Sequence, residues 1–318
     1  MLLSRVADNV YWMSRYIERA SNIARFLEVS YLLNLDQPAT AEEQWAPLIE
    51  ITGDMKLFKA RYGEATRENV MHFLMFNPEY PSSIASCLRI ARSIAKGMRE
   101  TVSTDMFREI NALGKLVPAA TREKADFHIK VFELCREIKR DAMLIEAMAS
   151  ETIERGQGYH FWRVGRYLER ADKTSRLLHV KYFHLLPDLT EVGTPLDDLQ
   201  WSALLESLDV RETYIRTKGL ISPDKVVEMI VLDRGFPRAI LFCLESALDS
   251  LYRITRDEPS RPHAILEKLC AELKGMSADD IIGRGMNEFI DDLQLSINEV
   301  NNAIHEQFIS PKAVTAGA

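Results

Sequence analysis

Reactive and metal-binding chemistry is thin in this 318-residue chain. Four cysteines are present, at 87, 135, 243 and 270, with no CxxC spacing, which removes the zinc-site and thioredoxin-like readings. None of the seven histidines stands three residues after a glutamate, so the Glu-x-x-His pattern of di-iron bundles is missing. HExxH, P-loop and GxSxG patterns are absent as well. No metal and no cofactor is therefore expected. There is no basic excess either: 40 Lys and Arg against 47 Asp and Glu leave a net charge of -7, which argues against a general nucleic-acid binder. No apolar run approaches the roughly 20 residues of a membrane-spanning helix. The opening MLLSRVADNVYW carries charge within five residues, unlike a signal peptide. A reduced, cytoplasmic protein without a membrane segment is expected.

Glycine and proline are few, 14 and 12, and cluster between periodic segments, which points to long helices. The first helix starts near Ser4: Val6, Val10, Met13, Ile17, Ala20, Ala24, Leu27 and Tyr31 alternate by four and three into one apolar stripe. Residues 33–43 read as a loop. A helix from Trp45 to about Arg61 closes at Gly63, and Thr66 caps a short helix to about Phe76. NPEYPSS at 77–83 is a turn, with Pro81 placed in a first helical turn. A helix over 103–117 ends before Pro118, a long one runs from Thr121 to about Glu154, and the last spans Met286 to Phe308. The fold class is all-α, a helical bundle.

One stretch occurs twice. RYIERASNIARFLEVSY at 15–31 and RYLERADKTSRLLHVKY at 166–182 agree at 9 of 17 positions, at an offset of 151. Downstream, Trp45, Leu48, Gly63, Pro81, Ile84 and Cys87 are answered by Trp201, Leu204, Gly219, Pro237, Ile240 and Cys243 at an offset of 156. The five-residue difference falls in the longer loop around 187–200, as a surface insertion would. The chain thus reads as two tandem, diverged helical repeats of about 155 residues, 1–155 and 156–309, packed as one unit, with 310–318 a frayed tail.

Packing explains the repeated Ala, Leu and Val positions but not the repeated charges. Arg15, Glu18, Arg19 and Arg25, with Arg166, Glu169, Arg170 and Arg176, are kept while neighbours such as Ser21/Asp172 and Asn22/Lys173 diverge. An exposed pair three or four residues apart contributes only about 0.2–0.5 kcal/mol, too little to hold a residue type. Two explanations remain open. The clusters can form a buried Arg–Glu brace between the halves, each guanidinium fork holding a carboxylate or a helix C-terminus. Alternatively they can grip an anionic group, a peptide carboxylate or a phosphate, with Glu18 and Glu169 orienting the arginines or serving as base. The brace is favoured, because a two-fold repeat places both copies at one interface. No catalytic residue is assigned. Cys87 and Cys243 lie on apolar stripes and read as small buried hydrophobes.

The opening SRVADNVYWMSRYIERASNIARFL, the turn NPEYPSSI and the second YLERADKTSRLL resemble the bacterial alpha-E family, an all-helical group named for its Glu-Arg signature; the likeness spans essentially the whole chain. Two departures stand out: Trp162 and polar residues replace VYW ahead of the second copy, and Tyr80 stands where that turn has a polar residue such as Asn. The resemblance implies a context. Such proteins are encoded beside a circularly permuted ATP-grasp ligase, a transglutaminase-like peptidase and sometimes an Anbu-type proteasome-like peptidase, in a peptide synthesis or tagging system. The expected function is a non-catalytic partner subunit of an ATP-grasp peptide or amide ligase. The alternatives are an enzyme or module that holds a peptide substrate, and a structural homodimer.

Overall fold

A computed structural model describes residues 3–35, 45–50, 52–120, 127–184 and 194–309, and all regular structure among them is helical. Among the described residues fifteen α-helices follow in order. They are α1 (Ser4–Leu35), α2 (Ala46–Glu50), α3 (Met55–Tyr62), α4 (Arg67–Met71), α5 (Ile84–Gly97), α6 (Thr104–Ala120), α7 (Phe127–Thr152) and α8 (Gln157–His184). Then come α9 (Pro195–Ser207), α10 (Arg211–Lys218), α11 (Pro223–Val227), α12 (Ile240–Thr255), α13 (Arg261–Lys274), α14 (Ala278–Arg284) and α15 (Met286–Ile304). Short π-helical turns follow α4, α11 and α15, at His72–Phe76, Glu228–Leu232 and His305–Ile309. The first two lie 156 residues apart, and each delivers the chain into a tight loop.

The two long helices α1 and α8 pack on each other at the centre; α5 and α7 cover α1, and α12 and α15 cover α8. One contiguous buried cluster draws on residues from α1 to α15, with Trp45, Trp162 and Trp201 each 1% exposed. At Gly165 the backbone of α8 passes close to α1. A Cβ added there would stand 2.4 Å from the Tyr11 carbonyl oxygen and 2.5 Å from Ser14 Oγ, so only a residue without a side chain lets the backbones approach this far. Because helices cover α1 on several sides, its polar face is not solvated: Ser14, Arg15, Glu18, Ser21, Asn22 and Arg25 are all buried.

Several sequence-based boundaries move. The expected helix from Trp45 to Arg61 is two helices, because the chain turns at Thr52 and Gly53, where φ is 78°, a conformation costly for any residue with a Cβ. Pro81 lies in the turn and not in a helix; α5 starts at Ile84, with Ser83 Oγ accepting from the Ser86 N–H at 3.1 Å. Pro118 does not end its helix, which runs to Ala120. Helix α1 continues through Leu35, into the segment expected to be a loop. Residues 36–44, the start of the expected helix at 121, and the tail 310–318 lie outside the described residues. Tyr80, the departure noted in the first turn, is buried: its ring stacks on Phe73 at 4.2 Å and its hydroxyl donates to Asp54 Oδ2 at 2.6 Å.

Candidate functional site

Positions 15, 18 and 19, like 166, 169 and 170, are three or four residues apart and therefore share one helix face. Antiparallel or parallel, two such faces pressed together leave no water for their charges, so each must find its partner across the contact. The partners are exchanged. Glu169 on α8 accepts from α1: Arg19 Nε at 2.6 Å on Oε1, Arg19 Nη2 at 3.0 Å and Arg15 Nε at 2.9 Å on Oε2. Glu18 on α1 accepts from α8: Arg170 Nε at 2.8 Å on Oε1 and Nη2 at 2.8 Å on Oε2. Each glutamate thus takes a two-pronged guanidinium from the other helix, the strongest geometry for such a pair.

Further groups secure the same charges. The hydroxyl of Tyr11 and Asn301 Oδ1 on α15 accept from Arg15 Nη1 at 2.7 and 2.6 Å. On the other side Arg166 pairs with Glu146 on α7, whose second oxygen accepts from Trp162 Nε1 at 2.8 Å. Asn22 Nδ2 donates to Glu18 Oε1 at 2.9 Å. Burial by itself would raise the carboxyl pKa of both glutamates. The arginines outweigh it: Arg170, Arg238 and Arg166 hold Glu18, and Arg19 and Arg15 hold Glu169, well below the ordinary 4.5.

The remaining two repeated arginines are Arg25 and Arg176. Arg25, 0% exposed, reaches the C-terminus of α9, where its Nη1 donates to the Ser207 carbonyl at 2.7 Å and to Asp209 Oδ2 at 2.6 Å. Asp209 sits at φ 56°, the left-handed turn that ends α9. Arg176 makes a local pair on its own helix, its Nε 3.1 Å from Asp172 Oδ2.

Sequence reasoning missed Arg238. This residue lies in the loop between the Glu228–Leu232 π-turn and α12, a loop tied to α8 by Arg170 Nη1 to the Pro237 carbonyl at 3.2 Å and by Thr174 Oγ1 to the Arg238 carbonyl at 3.2 Å. Its guanidinium is directed at Glu18, with Nη1 3.4 Å from Oε1. The signal was available as an asymmetry: at the offset of 156 the matching residue is Ser82. Glu146 and Asp209, also missed, carry no repeat signal. Beside Glu18 a cavity of about 380 Å³ opens, bordered by Arg166, Arg170, Arg238 and Glu146 among others. Cys87 and Cys243 are buried close by, and burial pushes both thiols up to about 12, away from the thiolate. Among the described residues no group of three His, Cys, Asp or Glu side chains converges as metal ligands would, and no helix is long and apolar enough to cross a membrane.

Comparison with known proteins gives a family but no activity. An uncharacterized protein of Mycobacterium bovis and two of Mycobacterium tuberculosis are each 22% identical to the chain over 302 residues, covering 87% of this chain and 33% of the relative. The chain therefore spans about a third of the length of these curated relatives. No solved structure matches it. A family model, Alpha-E, described as "A predicted alpha-helical domain with a conserved ER motif", matches residues 2–309.

Proposed function

This chain belongs to the Alpha-E family, and we propose that it serves as a non-catalytic helical partner of an ATP-grasp peptide or amide ligase in the cytoplasm. One observation carries the non-catalytic part. The Glu-Arg pairs, the most distinctive charges in the sequence, are spent on one another across α1 and α8. A general base working near neutral pH needs a pKa close to 7. Glu18 and Glu169 are held far below that, so neither accepts a proton under those conditions. Their arginine forks are likewise engaged. What the charges supply is a fixed angle and register between the two central helices, on which α5, α7, α9, α12 and α15 pack. Such a rigid body suits docking and positioning better than turnover.

The partner part rests on the family resemblance and on the relatives' size. In those mycobacterial proteins a region like this one makes up about a third of a longer polypeptide, so it is joined there to other parts. A unit that functions beside a second domain in one organism can do so as a separate subunit in another. The test is co-expression with a cognate ATP-grasp ligase of the kind the family resemblance implies, gel filtration, and an ATP-dependent ligation assay with and without this chain. Co-elution and a change in ligation rate are expected. Separate elution together with an unchanged rate overturns the proposal, and a chain that ligates peptides alone overturns its non-catalytic part.

A further inference from the structure

The Glu18 side of the brace carries one guanidinium too many. Arg170 is matched by Glu18, Arg166 by Glu146 and Arg25 by Asp209. Arg238, only 8% exposed, is left with a share of Glu18 Oε1 at 3.4 Å, an oxygen that already accepts from Arg170 and Asn22. Donors are in surplus too. Arg166 Nε, buried on the rim, and Arg25 Nε and Nη2 have no acceptor among the described residues. Buried guanidinium groups without acceptors are rare, because each forfeits its hydration and gains nothing in return.

The electrostatics agree with this geometry. Burial, and then the nearby charges of Arg25 and Arg170, depress Arg238 well below the usual arginine range; Glu18 and Asp209 offset this only in part. Burial and Arg170 lower Arg166 as well. Both arginines border the same cavity of about 380 Å³. Its remaining walls include Ala142, Met143, Leu208, Phe236 and Pro237, which offer apolar contact to whatever carries a charge inward. That volume is at the small end of ligand cavities, enough for a side chain or chain terminus.

We propose that this cavity binds a single carboxylate group, with Arg238 as its principal ligand and the Arg166 Nε–H as a second donor. One surplus positive charge matches one negative charge. A phosphate, with about -1.5 to -2 at neutral pH, would bring excess negative charge against Glu18, Glu146 and Asp209 in the same wall. The carboxylate can come from a peptide C-terminus or from an Asp or Glu side chain. Glu18 positions Arg238 and does not touch the ligand's reacting atoms; no reaction is assigned. The site is a property of the isolated chain and stands or falls apart from the ligase partnership.

The test is calorimetric titration of the full chain with four probes: N-acetyl-Gly-Ala-Ala with a free C-terminus, its C-terminal amide, N-acetyl-Gly-Glu-Ala amide, and inorganic phosphate. The expected result is saturable 1:1 binding of at least one carboxylate peptide, none of the neutral amide, and phosphate weaker than the carboxylate. Which peptide binds identifies the source of the group. Arg238→Ser, which installs the residue found at position 82, is expected to weaken binding roughly ten- to hundredfold, the worth of a charged hydrogen-bonded contact. It should leave the melting temperature unlowered, since it removes an ill-compensated buried charge. In ¹⁵N-arginine spectra of the unaltered chain, the Nε–H signals of Arg238 and Arg166 should shift with the same titration, so the outcome does not depend on the variant folding. Absence of binding by both carboxylate peptides, unchanged affinity in Arg238→Ser, tighter binding of phosphate, or unmoved arginine signals each overturns the proposal.

Discussion

Replacing Glu169 by glutamine keeps the shape of the side chain and removes its charge, which isolates what the exchanged pairs contribute. Glu169 is 0% exposed, and the side chains of its two forks, Arg15 and Arg19, are 9% and 16% exposed. At that burial solvent screens little, so the penalty is that of a buried cation left without its counter-charge, about 3–5 kcal/mol. Arg19→Gln should cost less, about 1.5–3 kcal/mol, because Glu169 keeps Arg15 at 2.8 Å and Lys173 at 3.7 Å. The double variant should cost less than the sum of the two, with a coupling of about 1–3 kcal/mol, since the second substitution removes the charge stranded by the first. Urea unfolding followed by far-ultraviolet circular dichroism measures all three, with the slope of the transition checked for constancy. If Glu169→Gln lies within about 0.5 kcal/mol of the parent and the coupling vanishes, the pairs behave as surface charges and the brace is wrong.

Acid should loosen the molecule in a specific window. Glu18 and Glu169 are depressed in the folded chain, so their contribution is complete above the unfolded value of 4.5 and is lost as pH falls below it, when the unfolded chain takes up protons that the folded chain refuses. Stability measured from pH 7 to 3 should therefore decline below about 4.5, and less steeply in Glu18→Gln and Glu169→Gln, which start lower. Gly165→Ala should destabilise by about 1–3 kcal/mol in thermal or urea unfolding, since its methyl would meet the Tyr11 carbonyl at 2.4 Å; a neutral effect would mean the crossing is looser than described. Cys87 and Cys243, buried and pushed up to about 12, should resist iodoacetamide at pH 8 in the folded chain and react after denaturation, as mass spectrometry of the alkylated protein would show. Rapid alkylation of the native chain would refute that assignment.

The all-helical class was legible because it depends on local patterning: few breakers, and apolar residues recurring every three or four positions through α1, α5 and α15. Errors came at single glycine and proline positions. Gly53 divides a periodic segment because the chain turns there at φ 78°, while Pro118 lies inside a helix that runs to Ala120. The charged positions were legible as a puzzle and not as an arrangement. Their recurrence at an offset of 151 marked eight side chains that packing could not explain. The same signal could not foresee that Arg25 would reach the C-terminus of α9, for a repeat in sequence does not fix what a side chain faces.

The sequence alone determined that α1 and α8 are long helices and that each presents Arg, Glu and Arg on one face, because helical periodicity is a property of the chain itself. Only the tertiary structure decided that these faces are pressed together, so that Glu18 takes Arg170 and Glu169 takes Arg19. It also decided that Arg238, from a loop 220 residues away from Glu18, joins the same centre as an unmatched charge. The physical reason is that an ion pair is set by distance and by the exclusion of water. Both arise from the packing of helices far apart in the chain, through contacts such as the one Gly165 permits.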